Sequence, residues 1–408
     1  MDIQSNSNYP TINQLIPWIM SVLFFIYEFV LRTLVGTFQE QMMYELHMSF
    51  LTFSYISTSA FVLVYGVMQV PVGYLLQRFC VKKLLLIMVG ISTISTFCFS
   101  FCHKTEWFVF VRMLMALGSA FSYVGLLFVI SLVFNKNKQG FYIGLSNLIG
   151  ILGAIFVAGP LSWIANQFSM DWRTLFQIVA LIGVILLIAI FFVFPKLENE
   201  HKVSDYQIDL SVLKHAWIWI LGLYAACIYS SLEYLSENYG QLLLIHRGLS
   251  RTDAGFCMST AWLGYGVGCL LVGQIYNSIK RPILMMQLIA FVGFFVILSI
   301  YGIHHRLNAL IIYFSIGLIC SGSCFAYIYV RSNINQVHVP IAYGFLNAIV
   351  ALFLSVLSPF IGGHIDLLSN IHQQDYAVVV ALSLLMFLPF VFTTILSTFF
   401  KRSNAIAA

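Results

Sequence analysis

Apolar runs of about 20 residues recur along the whole of this chain, each the length that a helix needs to cross a hydrocarbon core. Twelve such spans are expected, at 15–38, 50–76, 84–102, 106–134, 140–165, 172–194, 215–244, 253–278, 282–302, 306–331, 341–366 and 375–400. Of the 408 residues 60% are hydrophobic and only 9% charged, whereas a soluble domain is about a quarter charged. A chain this apolar cannot hide its surface from water, so most of it must face lipid. The expected fold class is an all-α membrane protein. The first 14 residues are polar and lack a small-residue cleavage site, so no removable signal peptide is expected.

The longest polar stretch after the N-terminus is PKLENEHKVSDYQIDLSVLKH, which starts at Pro195. It divides the chain into a six-helix half (1–194), a cytoplasmic linker (195–214) and a second six-helix half (215–408). An even number of spans puts both termini on one side. With the N-terminus cytoplasmic, the inner segments carry Arg78, Lys82, Lys83, Lys136, Lys138, Lys196, Lys202, Lys214, Lys280, Arg281, Lys401 and Arg402. The outer loops carry Lys104, Arg173, Arg247, Arg251 and Arg306. Twelve against five fits the positive-inside rule, so both termini are expected in the cytoplasm. The net charge of +5 reflects this topology, and a nucleic-acid partner is not implied. Of the eight cysteines, Cys98/Cys102 and Cys320/Cys324 are i,i+4 pairs within spans. They read as small packing residues, and neither a disulfide framework nor a metal site is expected. His103, His304, His305, His364 and His372 lie near outer span ends without ligand spacing and read as interfacial.

The two halves match each other at a nearly fixed offset. GYLLQR from Gly73 faces GQIYNS from Gly273, each closing the second span of its half. GSAFSY (Gly118 to Tyr123) faces GSCFAY (Gly322 to Tyr327) in the fourth spans. GLSN (Gly144 to Asn147) faces GFLN (Gly344 to Asn347) in the fifth, followed by Gly159-Pro160 and Ser358-Pro359. Duplicated six-span halves with both termini on one side imply a pseudo-two-fold along the membrane normal. The substrate path then lies between the halves, near the midplane. At these residues the chain resembles the major facilitator superfamily over essentially its whole length. GYLLQRFCVKK is similar to that superfamily's G-x-L-x-D-R-x-G-R-K gating loop, kept at Gly73, Arg78, Lys82 and Lys83. Gln77 departs from the usual acid, as Asn277 does in the second half, and an amide carries no charge with which to latch the inner side. RMLMALG is similar to the fourth-span motif at Arg112 and Gly118, with Met115 and Ala116 departing. GILGAIFVAGP is similar to the fifth-span motif with its Gly-Pro bend.

FFIYEFVLRTLVG places Glu28 and Arg32 on one face of the first span, near its middle. A charge at that depth costs several kcal/mol unless it is paired or faces a watery cavity, and such residues mark pathways by default. Arg32 is expected to bind an anionic substrate group through its two-pronged fork. Glu28 is expected to be its counter-ion and a proton carrier, the alternative being a neutralising pair that only stabilises packing. In the seventh span Glu233 lies at nearly the depth of Arg32 and suits a substrate ammonium, with Glu237 one turn further out. Tyr229, Tyr234, Asn238 and Tyr239 add polar groups, Tyr239 reading as interfacial. Tyr123 and Tyr327, equivalent in the repeat, are expected to line the cavity, and Asn147 and Asn347 join them from the matched fifth spans. Proton coupling is expected of Glu28, Glu233 and Glu237. The resemblance adds Arg112 to that set, against the alternative of a snorkelling residue paired with a neighbouring helix.

A closer resemblance follows from YEFVLR (Tyr27 to Arg32), SENYG (Ser236 to Gly240) and the stretch from Tyr343 to Asp366. Together they are similar to the phagosomal nutrient transporters of intracellular gamma-proteobacteria. Gly344, Asn347, Pro359, Gly362 and Asp366 keep that branch's eleventh-span pattern, and Ser358 departs from it. The resemblance implies proton-driven uptake of an amino acid across a bacterial inner membrane, by a monomer, with Tyr27 beside the site. Transport of a nucleoside, a siderophore or a drug on the same fold is the alternative. No phosphate loop of the G-x-x-x-x-G-K-[ST] kind is present, so ATP drive is not expected. Neither enzymatic activity nor a cofactor is expected; the proton gradient supplies the energy.

Overall fold

The computed structural model describes residues 11–195, 197, 214–334 and 339–406, with the side chains of Val70, Gln77, Lys136, Asn137, Asn277, Pro340 and 398–406 left aside. Among the described residues, twelve helical spans are long and apolar enough to cross a membrane. In order they are Ile12–Thr37, Phe50–Gln69, Val81–Phe99, Thr105–Val133, Lys138–Gln167, Trp172–Val193, Ala216–His246, Arg251–Ile275, Pro282–Gly302, Arg306–Asn333, Ile341–Asp366 and Ile371–Ser397. We number them spans 1 to 12. Each expected run has its helix, with ends displaced by a few residues. A helix continues while its backbone ladder is satisfied, whatever the polarity of its last turn. Span 2, for example, runs on as helix through Arg78. The 195–214 linker falls almost wholly outside the described residues, as do the side chains of Lys196, Lys202, Lys401 and Arg402.

Three of the spans that start on the face away from the termini carry short polar caps. Ser49, Asp171 and Ser250 accept from the amides of Thr52, Thr174 and Asp253 at the starts of spans 2, 6 and 8. The bond to Thr174 holds the Asp171 carboxyl below the usual carboxylate range. That cap therefore contributes fully above the ordinary carboxylate pKa and is lost as pH falls through the depressed one.

Within each half the repeat is visible in the packing. Span 1 lies against spans 4 and 5, and span 7 against spans 10, 11 and 12. Span 7 is the most enclosed, with 78% of its apolar window buried, while span 9 buries only 28% of its own. Span 7 is therefore an inner helix and span 9 a lipid-facing one, although span 9 is the more hydrophobic. Span 7 can be the less apolar of the two because its polar groups find partners on neighbouring helices rather than in lipid.

The halves meet through spans 1 and 7, 2 and 11, and 5 and 8. Toward the far side, away from the termini, these pairs are locked. Asp366 at the end of span 11 accepts from the amides of Phe50 (2.8 Å) and Leu51 (2.9 Å) at the start of span 2. A carboxylate there meets unpaired amides and the positive end of the helix dipole. Ser59 donates to the Ser355 carbonyl (2.7 Å) and Ser259 to the Ile155 carbonyl (2.6 Å). Toward the terminal side the same helices part. A Cβ added at Gly73, Gly140, Gly144, Gly273 or Gly344 would meet nothing within 4 Å, whereas one at Gly66, nearer the far side, would run into Ala351. The structure is thus closed on the far side and open toward the termini.

Asp366→Asn keeps one acceptor but loses the charge, at a cost of about 1 kcal/mol. That is a roughly fivefold shift toward the far-side-open state. Spin labels on Tyr44→Cys and Leu307→Cys, both exposed on the far side, should show a larger population of long distances. An unchanged distance distribution would mean that Asp366 does not hold the closure.

Candidate functional site

The site forms where span 1 faces span 7. The Arg32 guanidinium donates through Nε to Glu233 Oε1 and to Glu237 Oε1, both at 3.0 Å, and through Nη2 to Glu233. Both carboxylates are sealed from solvent, with 0% and 1% of their side chains exposed, and Arg32 keeps 12%. The Tyr229 ring lies 5.9 Å from the guanidinium carbon. The sequence made Glu28 the counter-ion of Arg32; here Glu233 and Glu237 fill that role. Arg32 reaches across the boundary between halves rather than back along its own helix. Glu28 is buried, and its Oε1 has no hydrogen-bond partner. Glu233 Oε2 is buried without a partner as well. Buried oxygens of this kind are costly unless a proton or a ligand donor meets them.

Three π turns interrupt the helices around this site, at Tyr55–Ser59, Val157–Leu161 and Leu235–Tyr239. Such turns insert one residue into the α repeat and rotate the following side chains; they are frequent at functional sites. In span 7 the π turn carries Glu237 and Asn238 together toward the other half. Asn238 Oδ1 accepts from Ser57 (2.7 Å) and Ser358 (3.0 Å), and its Nδ2 donates to Thr58 Oγ1 (2.8 Å). One amide thus ties span 7 to spans 2 and 11. Gly36 makes this approach possible, since a Cβ there would overlap the Glu237 backbone. Gly36→Val is therefore expected to hold spans 1 and 7 apart and favour the far-side-open state, read with the same label pair; an unaltered closed population would refute it.

Arg112 is fully buried. It donates to the carbonyls of Leu31 (2.7 Å), Ser57 (2.9 Å), Arg32 (3.0 Å) and Ile56 (3.2 Å), with its guanidinium carbon 4.4 Å from the Phe61 ring centroid. It joins spans 1, 2 and 4 beside the first π turn and so sets the position of the Arg32 backbone. The four carbonyls are its main partners, a role that a residue-by-residue reading of the fourth-span motif does not reveal.

The tyrosines and asparagines matched by the repeat form equivalent pairs. Tyr327 donates to Asn347 Oδ1 at 2.5 Å, and Tyr123 lies beside Asn147 in the other half. All four are half-buried. They flank the opening between the halves on the terminal side of Arg32. Tyr27 points away, into its own half, beside Thr93 and Thr96 of span 3. This is a different placement from the substrate-facing one expected. In the gating loop Arg78 stacks on Tyr74 (4.4 Å to the centroid) and Lys82 donates to the Phe194 carbonyl at 2.6 Å, both within one half. Gly73 is open and Lys83 exposed, while the Gln77 side chain lies outside the described residues.

Twelve spans in two pseudo-symmetric halves, with a buried ion cluster where the halves meet, define a two-half membrane transporter fold. The chain belongs to the Major Facilitator Superfamily, whose family model matches residues 20–363. Among curated proteins it is similar to the uncharacterised MFS-type transporter YbcL of Bacillus subtilis, at 24% identity over 54% of this chain and 60% of that one. A similar protein of Mycobacterium tuberculosis, also an uncharacterised MFS-type transporter, is 26% identical over 48% of this chain and 33% of its own length. The matched part therefore spans less than two thirds of either relative. Among solved structures, the nucleoside transporter NupG superposes with a TM-score of 0.75 at 13% identity, over 96% of this chain and 100% of that one. A bacterial homologue of the human lysosomal transporter Spinster, inward-facing and occupied, superposes with a TM-score of 0.73 at 14% identity, covering 95% and 96%. At these identities the likeness concerns the fold.

Proposed function

We propose that this chain is a proton-coupled carrier of a small zwitterionic solute, an amino acid in the first place, working by alternating access between its two halves. The reading rests on one observation: a single guanidinium held across the boundary by two buried carboxylates, with a further carboxyl oxygen lacking a partner on each side of it. Glu28, Glu233 and Glu237 face Arg32 and Arg112, so three carboxyls stand against two cations. One proton taken up by the cluster brings it to neutrality and lowers the negative charge against which a substrate carboxylate must reach the Arg32 fork. A substrate ammonium is then met by the glutamate oxygens that remain charged. Proton and substrate binding become linked because each changes what the other must displace.

This reading keeps the termini cytoplasmic in a bacterial inner membrane, in which case the state described here opens inward. It also takes the carrier as a monomer driven by the proton gradient with no cofactor, its halves joined by the 195–214 linker. The likeness to phagosomal nutrient transporters belongs to the same proposal. The test is counterflow in proteoliposomes with pooled amino acids, then pooled nucleosides, under an inward proton gradient. Accumulation of an amino acid supports the proposal. A nucleoside is the second reading, favoured by the two Tyr–Asn pairs, which offer hydroxyl and amide groups to an uncharged ring-bearing solute. Silence in both pools would turn attention to siderophores and drugs and leave the ion cluster needing another task.

A further inference from the structure

Glycines bring spans 8 and 10 unusually close. A Cβ at Gly264 would overlap the Phe314 carbonyl, one at Gly268 the Ser321 side chain, and one at Gly317 the Ala261 carbonyl. Gly264 and Gly268 are spaced as a small-xxx-small pair, the pattern that lets membrane helices touch along their backbones. As a result Cys269 and Cys324, 55 residues apart in sequence, stand with their sulfurs 3.3 Å apart. The partner of Cys324 is thus on another helix, and Cys320, one turn away on the same helix, is fully buried elsewhere.

Both sulfurs belong to partly exposed residues, whereas Cys102, Cys227, Cys257 and Cys320 are buried. Their neighbours are Tyr265 and Ser323 of the same half, together with Tyr327 and, from the opposite half, Tyr123. They therefore lie on the wall that faces the boundary between halves. Cys269 is eighteen residues from the far-side start of span 8, while Arg32 is five from the far-side end of span 1. The thiols stand on the terminal side of the ion cluster, where the structure is open.

We propose that Cys269 and Cys324 form a paired-thiol modification site in the wall of the substrate path, closed to a disulfide by a disulfide oxidant and bridged by trivalent arsenicals. Oxidation removes two S–H bonds and makes one S–S bond. Two electrons and two protons pass to the oxidant, glutathione disulfide for instance, which leaves as two thiols. Phenylarsine oxide instead forms two As–S bonds and releases its oxygen as water with the two thiol protons. A disulfide needs the sulfurs at about 2.05 Å, an approach of little more than an ångström from where they stand. The placement in a path rests on the carrier reading; the thiol chemistry does not.

The purified full chain, in lipid nanodiscs, is treated with phenylarsine oxide and, separately, with glutathione disulfide. Intact mass should show one phenylarsenic bridge per chain with the loss of two free thiols. Peptide mapping after oxidation should give a Cys269–Cys324 cross-link free of glutathione. Both products should vanish in Cys269→Ser and in Cys324→Ser and persist in Cys102→Ser and Cys320→Ser. A bridge that survives in the first two variants, maps to Cys98 and Cys102, or is replaced by glutathione on a single cysteine would overturn the pairing. In proteoliposomes the arsenical should suppress counterflow of the identified solute in the wild type and spare it in Cys269→Ser. A bridged carrier that still transports at the wild-type rate would overturn the placement in the path.

Discussion

Arg32→Ala is expected to drop solute counterflow at least a hundredfold, to the level of empty liposomes, while the protein still reaches the membrane. The substitution removes the cation bonded to both Glu233 and Glu237. Stranding buried charge in this way costs about 3–5 kcal/mol, so the contact between spans 1 and 7 loses its attraction just where a substrate carboxylate loses its fork. Arg32→Lys separates the two effects. A lysine keeps the charge but offers a point donor in place of a planar fork. It should restore folding and far-side closure fully and transport only in part. Counterflow together with membrane abundance checks both variants, and wild-type rates in Arg32→Ala would remove the site.

Glu28→Gln should abolish the response of transport to a proton gradient while leaving counterflow, which needs no net proton movement, at a substantial fraction of wild type. Glu28 shares a helix face with Arg32 but makes no hydrogen bond through Oε1. It is thus free to take and release a proton without breaking the Arg32 bonds to span 7. The amide keeps its shape and cannot ionise. The check is the pH dependence of uptake with and without a gradient. A profile unchanged in Glu28→Gln would move the carrier role to Glu233, whose Oε2 is also unpartnered, with Glu237 next.

Asp366 and Asn238 show why part of the site was hidden in the chain. Both occur in stretches singled out for other reasons, the eleventh-span pattern and SENYG. Their partners lie far away in sequence: Phe50 and Leu51 for the first, Ser57, Thr58 and Ser358 for the second. No local pattern encodes such contacts, because they depend on how one half leans on the other. The π turns were equally silent. Sequence suggested continuous helices with one Gly-Pro bend, and one of the three turns does contain Pro160. The other two have no such marker and exist because inter-half contacts compensate for the disturbed ladder.

The counter-ions of Arg32 divide along the same line. That a charge cluster sits in spans 1 and 7 followed from Glu28, Arg32, Glu233 and Glu237 alone, since lipid tolerates ionised groups only where something meets them. Which carboxylate meets Arg32 depended on the gap between spans 1 and 7, and so on Gly36.

By itself the sequence determined the number of spans, the duplication into halves and which spans carry the buried charges. Those properties depend on length, hydropathy and repeat, which the bilayer reads one helix at a time. Only the tertiary structure decided that Arg32 bonds across the boundary, that Arg112 binds four carbonyls, that Cys269 faces Cys324 and that the far side is shut. Each depends on the separation of helices distant in sequence, set by where glycines let backbones touch and where polar groups find partners across the halves.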